Sequence, residues 1–357
     1  MLGAAMQTAR AFAMGCLASL AVGCGDGGAA QPAPVSVLSW NLYLGTDLVA
    51  LAAVPTPSAI PPVAADLWAD VQASDFPARA KVIAARIVAL APDVVALQEV
   101  ALYRTQTPSD FTPAAAPNAT VAALDFLDLF TKELTALGAR YRVAVESPNA
   151  DVELPVSDGA GGVFDLRFTD RDVILVAEAA SADAGVARPF DSKVNFPVGG
   201  AGGVQLAITR SASHLKVAVG AASVTVANSH LEVGALSAVQ AAQATELLGF
   251  MDAITGPVVL LGDFNTPPGA STYQQLTKTF QDLGVKLPPP ATDPTCCQDG
   301  DLMNAASKAD SRIDLVLTRG AFTMKSLVVV GADPADRTPS GKWASDHFGV
   351  FATLDLR

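Results

Sequence analysis

Charge is scarce in this 357-residue chain, and positive charge is the scarcer sign. Only 16% of the residues are Asp, Glu, Lys or Arg, and 35 acidic residues outnumber 23 basic ones, for a formal net charge of −12. No segment gathers Lys and Arg into a dense cluster. Proteins that grip nucleic acid by neutralising many phosphates carry a basic stripe, so the composition argues against tight, processive binding of that kind. It does not exclude hydrolysis of nucleic acid, because a bound metal ion brings positive charge to the place that needs it. Cysteine is sparse as well. Of the four, Cys16 and Cys24 lie near the start, and Cys296 and Cys297 are adjacent, a spacing that suits neither a zinc site nor a disulfide framework. A vicinal disulfide is open to the pair, and a structural or incidental role is expected. Aromatic residues are 6% of the chain and form no clustered loop. No long polar tract is present, and half the residues are hydrophobic, so the chain has ample material for a core.

Long apolar runs are missing too. The longest near the start, residues 11–22, follows Arg10 and is too short to span a bilayer comfortably. It ends in Leu20-Ala21-Val22-Gly23-Cys24, which resembles a bacterial lipoprotein signal whose cleavage leaves a lipid-modified Cys24. The expectation is a signal peptide over residues 1–23, a flexible Gly/Ala/Pro tether over 24–34 and one folded domain over 35–357. Export is implied, with a membrane anchor at Cys24; a plain cleaved signal peptide is the other reading.

Periodicity places the elements. Residues 35–40 and 93–97 read as strands. Residues 44–78, rich in Pro and Ala, read as a long, partly helical excursion. Helical spacing runs over 80–90, 122–137, 236–254 and 271–279. Strands are expected at 141–145, 162–168, 172–177, 215–219, 224–228, 257–261, 313–317 and 349–354. Strands and helices mix along the whole length with hairpin-like neighbours. This pattern suggests an α/β protein with two packed mixed sheets covered by helices rather than one doubly wound sheet.

Polar residues recur where apolar strands end, the place where sites are built. Ser39-Trp40-Asn41, Leu97-Gln98-Glu99, Asn228-Ser229-His230 and Gly262-Asp263-Phe264-Asn265 each close a strand. Arg312-Ile313-Asp314 opens one, and Ser345-Asp346-His347 precedes the last. Taken in this order over more than three hundred residues, the set resembles the endonuclease/exonuclease/phosphatase superfamily. The resemblance implies a four-layer α/β/β/α sandwich and hydrolysis of a phosphate ester.

Such hydrolysis needs charge neutralised on the phosphoryl oxygens, an aligned water and a stabilised leaving oxygen. A hard divalent cation with oxygen ligands suits the first task, and Mg2+ is expected, with Mn2+ or Ca2+ as alternatives. By resemblance, Glu99 is the main metal ligand, with Asn41 beside it and Asp346 near. Asp263 activates water and Asn265 fixes it. His347 contacts the scissile phosphate, oriented by Asp314. His230 is the second phosphate-contacting histidine, with Asn228 beside it, and Arg171 lines the substrate cleft. Asp47 reads as a helix N-cap, and His214 is assigned no role. Which group acts as base stays open between aspartate and histidine. The expected partner is a phosphodiester, either nucleic acid or a phospholipid headgroup of the sphingomyelin type. A non-catalytic binding module of the same fold is the rival from another class.

Overall fold

The computed structural model describes residues 33–289 and 292–357. The expected signal peptide, and the tether apart from residues 33 and 34, lie outside the described residues. Two large mixed sheets carry the structure. The first has eight strands. From edge to edge it runs Phe322–Val330, Gly349–Leu356, Val35–Asn41, Val94–Gln98, Val163–Ala177, Leu102–Gln106 and Val121–Asp125, with Tyr141–Ser157 also paired to Val163–Ala177. The second has seven, and its centre is Asp314–Arg319, Val258–Asp263, Ala222–His230 and Ser211–Val219. Each sheet contains one parallel pair, Val35–Asn41 with Val94–Gln98 and Ala222–His230 with Val258–Asp263.

Successive strand residues face opposite layers, and three cores follow from that alternation. Leu38, Trp40, Val95 and Leu97 turn outward onto helices α1 (Ile60–Ala73), α2 (Phe76–Leu90) and α3 (Phe126–Ala136), meeting Val71, Phe76, Ile83, Ile87, Phe126 and Phe130. Leu260, Leu315 and Leu317 turn outward from the second sheet onto α4 (Ser237–Asp252) and α5 (Ser271–Leu276), against Leu247, Met251 and Leu276. The residues between them in sequence, Val37, Val94, Ala96, Val226, Val259, Leu261 and Val316, fill the seam between the sheets. The layers are therefore α/β/β/α, as the strand pattern and the family resemblance suggest.

Several boundaries differ from the periodicity. Residues 121–125 form a strand paired with Leu102–Thr105, and the helix starts only at Phe126. The Asp125 carboxylate accepts from the Leu127 and Asp128 amides there, so an N-cap sits inside what reads as one helical stretch. The two strands expected at 162–168 and 172–177 are one strand, Val163–Ala177, because residues 169–172 keep pairing with 147–151 across a bulge. Its partner is seventeen residues long, Tyr141–Ser157, and bulged twice. Helix α2 begins at Phe76, four residues before its expected start, behind an Asp75 cap.

Candidate active site

The apolar register that fills the seam turns polar at one end. Continuing the inward alternation, Val35 and Val37 lead to Ser39 and Asn41, Val94 and Ala96 to Gln98, Val224 and Val226 to Asn228 and His230, and Val259 and Leu261 to Asp263. Three of the polar residues lie in one row, since His230 pairs with Asp263 and Asp263 with Asp314 on neighbouring strands. Gly262 allows this approach: a Cβ there would stand 1.9 Å from the Ser229 carbonyl oxygen, and its φ is +150°. His347 enters from the loop before the last strand, and its Nδ1 lies 2.9 Å from Asp314 Oδ2.

Asp263 is the centre of the group. Its Oδ2 accepts from Asn41 Nδ2 at 3.1 Å and lies 3.5 Å from His230 Nε2 and 3.7 Å from His347 Nε2. Its Oδ1 accepts from the Asn265 amide at 2.9 Å. Asn265 holds φ +49°, and its Nδ2 donates to the Leu231 carbonyl and stands 3.2 Å from His230 Nε2. Asn41 Nδ2 also donates to Glu99 Oε1 at 3.1 Å, so one amide links the two carboxylates expected to share a cleft. Glu99, at φ +55°, accepts from the Leu44 amide through its other oxygen. Asp346 follows Ser345, whose hydroxyl donates to the Asn41 carbonyl.

Negative charge is crowded here. Burial, and then Asp346 and Asp170, push Glu99 up to about 7. Burial, and then Asp314, push Asp263 up to about 6 against the pull of His347, and burial also raises Asp346. Burial alone would lower His347, but Asp314, Asp263 and Asp346 outweigh it and hold this imidazole well above its ordinary value. His230 goes the other way, lowered by burial, Arg210 and His347. Each strained carboxylate would be relieved by a cation, so the oxygen set of Glu99 and Asp346 suits a hard divalent ion.

Three of the expected site residues make bonds within the fold. Asn41 Oδ1 accepts from the Tyr43 amide at 2.9 Å, which uses one of its two lone pairs, and its Nδ2 bridges Glu99 and Asp263. Asn228 is fully buried and joins the sheets. Its Nδ2 donates to the Leu97 and Val173 carbonyls, and its Oδ1 accepts from Gln98 Nε2 at 2.7 Å. No edge is left for a phosphate. Arg171 is engaged by the Val100 carbonyl, Asp125 and Glu146, which ties strands together instead of lining a cleft. Asp47 is a cap, accepting from the Val49 amide, and His214 packs against Phe250.

The structure also brings in residues that no strand-end pattern flags. Arg79, in the first turn of α2 and fully buried, donates to the carbonyls of Leu42, Tyr43, Ser74 and Ala344. It thereby clamps the loop after Asn41 to the loop before His347, and burial lowers it to about 10. Arg210 stands 3.0 Å from His230 Nδ1. Cys296 and Cys297 are disulfide-bonded, with the exposed Cys297 sulfur 3.9 Å from His347 Nε2. Their segment bonds to Asp310, Ser311 and Asp346 backbone groups, stitching the Asp314 strand to the His347 loop.

The sequence profile described as the endonuclease/exonuclease/phosphatase family matches residues 38–347, the span that holds every residue of this group. Among solved structures, a humanised TDP2 of D. rerio superposes with TM-score 0.54 at 16% identity, covering 90% of this chain and 99% of the other. An endonuclease/exonuclease/phosphatase from Beutenbergia cavernae gives 0.52 at 22%, covering 91% and 72%. A family protein from Leptotrichia buccalis gives 0.54 at 13%, covering 90% and 100%. These likenesses are of fold. No curated protein matches the chain.

Proposed function

Because this chain belongs to the endonuclease/exonuclease/phosphatase family, we propose that it is a divalent-metal-dependent phosphodiesterase acting outside the cytoplasm, with nucleic acid as its substrate class. The observation that carries the reading is the row His230–Asp263–Asp314, capped by His347 and facing Glu99 through one shared amide.

Each residue follows from its surroundings. Asp263, raised toward neutrality, is suited to take a proton from water near its operating pH, and Asn265 orients that water beside it. His347, held charged by Asp314, donates to the phosphoryl group or the leaving oxygen. His230 donates to a phosphoryl oxygen from the other side of Asp263. Glu99 and Asp346 would hold Mg2+, with Asn41 keeping Glu99 in place; when bound, the ion supplies positive charge to the phosphoryl oxygens. Export rests on the N-terminal segment, with the lipid anchor at Cys24 as its membrane attachment. For the substrate class, the large hydrophobic side chains exposed among the described residues are Val, Leu and Met, with no aromatic, which favours nucleic acid over a lipid surface. The test is plasmid DNA, RNA, sphingomyelin and a chromogenic phosphodiester assayed side by side with Mg2+ and with chelator. Turnover of nucleic acid that chelation abolishes is expected; metal-independent turnover, or none on any phosphodiester, overturns the reading.

A further inference from the structure

Arg210 lies just before the strand Ser211–Val219 and is seven-eighths buried or more at its side chain, 12% exposed. Two carboxylates hold it: Asp170 Oδ2 at 3.4 Å from Nη1 and Glu232 Oε2 at 3.6 Å from Nε. The same Nη1 points at His230 Nδ1, 3.0 Å away. An arginine has donors and no acceptor, and it does not deprotonate in a protein. A ring nitrogen that meets it must therefore present a lone pair.

That bears directly on where the proton of His230 goes. Nδ1 is the acceptor, so the ring carries its hydrogen on Nε2. Nε2 has an acceptor to receive it, Asp263 Oδ2 at 3.5 Å. Asn265 Nδ2, 3.2 Å from the same nitrogen, gives one hydrogen to the Leu231 carbonyl and stands beside Nε2 with the other, so it is the Arg210 contact at Nδ1 that fixes the tautomer. The opposite tautomer would set an imidazole N–H against the guanidinium N–H, and the imidazolium would add a second positive charge 3.0 Å from the first. The charged and titratable groups that face the ring are Arg210, Asp263 and His347; two of these favour the neutral form.

We propose that Arg210 is a positioning residue that locks His230 as a neutral imidazole with its proton on Nε2, so that the site works with two histidines in opposite charge states. His347 is the cation, oriented by a carboxylate, and His230 is a neutral donor, oriented by an arginine. The asymmetry has a chemical use. A neutral N–H can bond a phosphoryl oxygen without surrendering its proton to Asp263, whereas a second imidazolium would neutralise the carboxylate that must accept one from water. Asp170 and Glu232 matter here only as the clamp that aims the guanidinium. The role in catalysis rests on the phosphodiesterase reading; the protonation state does not.

The chain holds three histidines, so nitrogen-15 labelling of histidine in the full Mg2+-supplemented protein gives a readable imidazole spectrum, assigned with His214→Asn and His347→Asn variants. The wild type should show His230 with a protonated Nε2 and a pyridine-type Nδ1, unchanged from pH 5 to 8. Arg210→Ala should release the ring to titrate within that range, and Arg210→Lys, which keeps a cationic donor, should restore the lock in part. A wild-type His230 protonated on Nδ1, or titrating as a cation in that window, overturns the proposal. So does a folded Arg210→Ala protein with the wild-type spectrum. If the spectrum is as expected and no phosphodiester is cleaved, the lock stands and the functional reading falls.

Discussion

At the scale of single residues, the group around Asp263 makes sharp demands. Asp263→Asn keeps the shape and removes the proposed base, and His347→Ala removes the proposed charged donor. Each should lower kcat by about 10²–10⁴-fold, the usual worth of a positioned acid or base, while thermal unfolding shows the fold intact. Undiminished turnover in both variants would end the assignment. Asp314→Asn should reduce the rate and also shift the alkaline limb of the pH–rate profile downward, because the carboxylate that raises His347 is gone. Asn228→Ala gives the opposite pattern. It leaves Gln98 Nε2 and the Leu97 and Val173 carbonyls without their buried partner, at a cost of roughly 2–4 kcal/mol. Denaturant unfolding should register that loss while kcat of the folded protein changes little. A phosphate-binding asparagine would show the reverse.

At the scale of elements, the close parallel pairing of Ala222–His230 with Val258–Asp263 is the critical join. Gly262→Ala drives a methyl group into the Ser229 carbonyl and should cost roughly 3 kcal/mol or more, with His230 and Asp263 no longer in register. Differential scanning calorimetry on this variant, set against Gly249→Ala in α4, where a Cβ meets nothing within 4 Å, separates the steric effect from any general intolerance of alanine. The elements also explain what the sequence discloses and what it hides. Strand ends are legible because apolar alternation stops on a polar residue, as at Asn41, Gln98, His230 and Asp263. Arg79 is hidden because it falls just before the helix expected at 80–90 and, with Lys81 and Arg86 nearby, reads as part of a solvated face; only its bonds to Leu42, Tyr43, Ser74 and Ala344 show it buried. Arg210 is hidden because its strand begins after it, so no run of apolar residues points to it. Asn228 is legible as important but not in kind, since a residue bridging two sheets and a residue touching a ligand leave the same polar mark at a strand's end. The helix expected from residue 122 fails for a local reason, the Asp125 cap, which overrides the propensity of the residues before it.

At the scale of the whole molecule, titration of the site feeds back on stability. Glu99 at about 7, Asp263 at about 6 and the strongly raised His347 all bind protons more tightly when folded. Each therefore contributes stability that is complete below its unfolded value and fades as pH rises through its folded one. His230, lowered, contributes stability above about 6.5 that is lost on acidification. Between pH 8 and 6.5 the first three dominate, so the metal-free protein should melt at a higher temperature at pH 6.5 than at pH 8. Saturating Mg2+ should flatten that slope by stabilising the carboxylates at the higher pH. A metal-free protein that is more stable at pH 8 contradicts the charge distribution described here.

The first and last long strands lie side by side and antiparallel, with Val35 opposite Leu354 and Ser39 opposite Val350. Following either strand from its outer end leads toward the group around Asp263, so residue 35 and the carboxyl end share the far pole of the domain, about 20 Å of extended chain away. A bead or a surface coupled just ahead of residue 35 or at the carboxyl end is held at that pole, away from the group around Asp263. If the proposed nucleic-acid substrate is right, protein immobilised at that pole should cleave long polymers at nearly the free rate, while coupling through Lys308, which pairs with Asp299 just beyond the cysteine segment, should slow long polymers far more than small chromogenic esters.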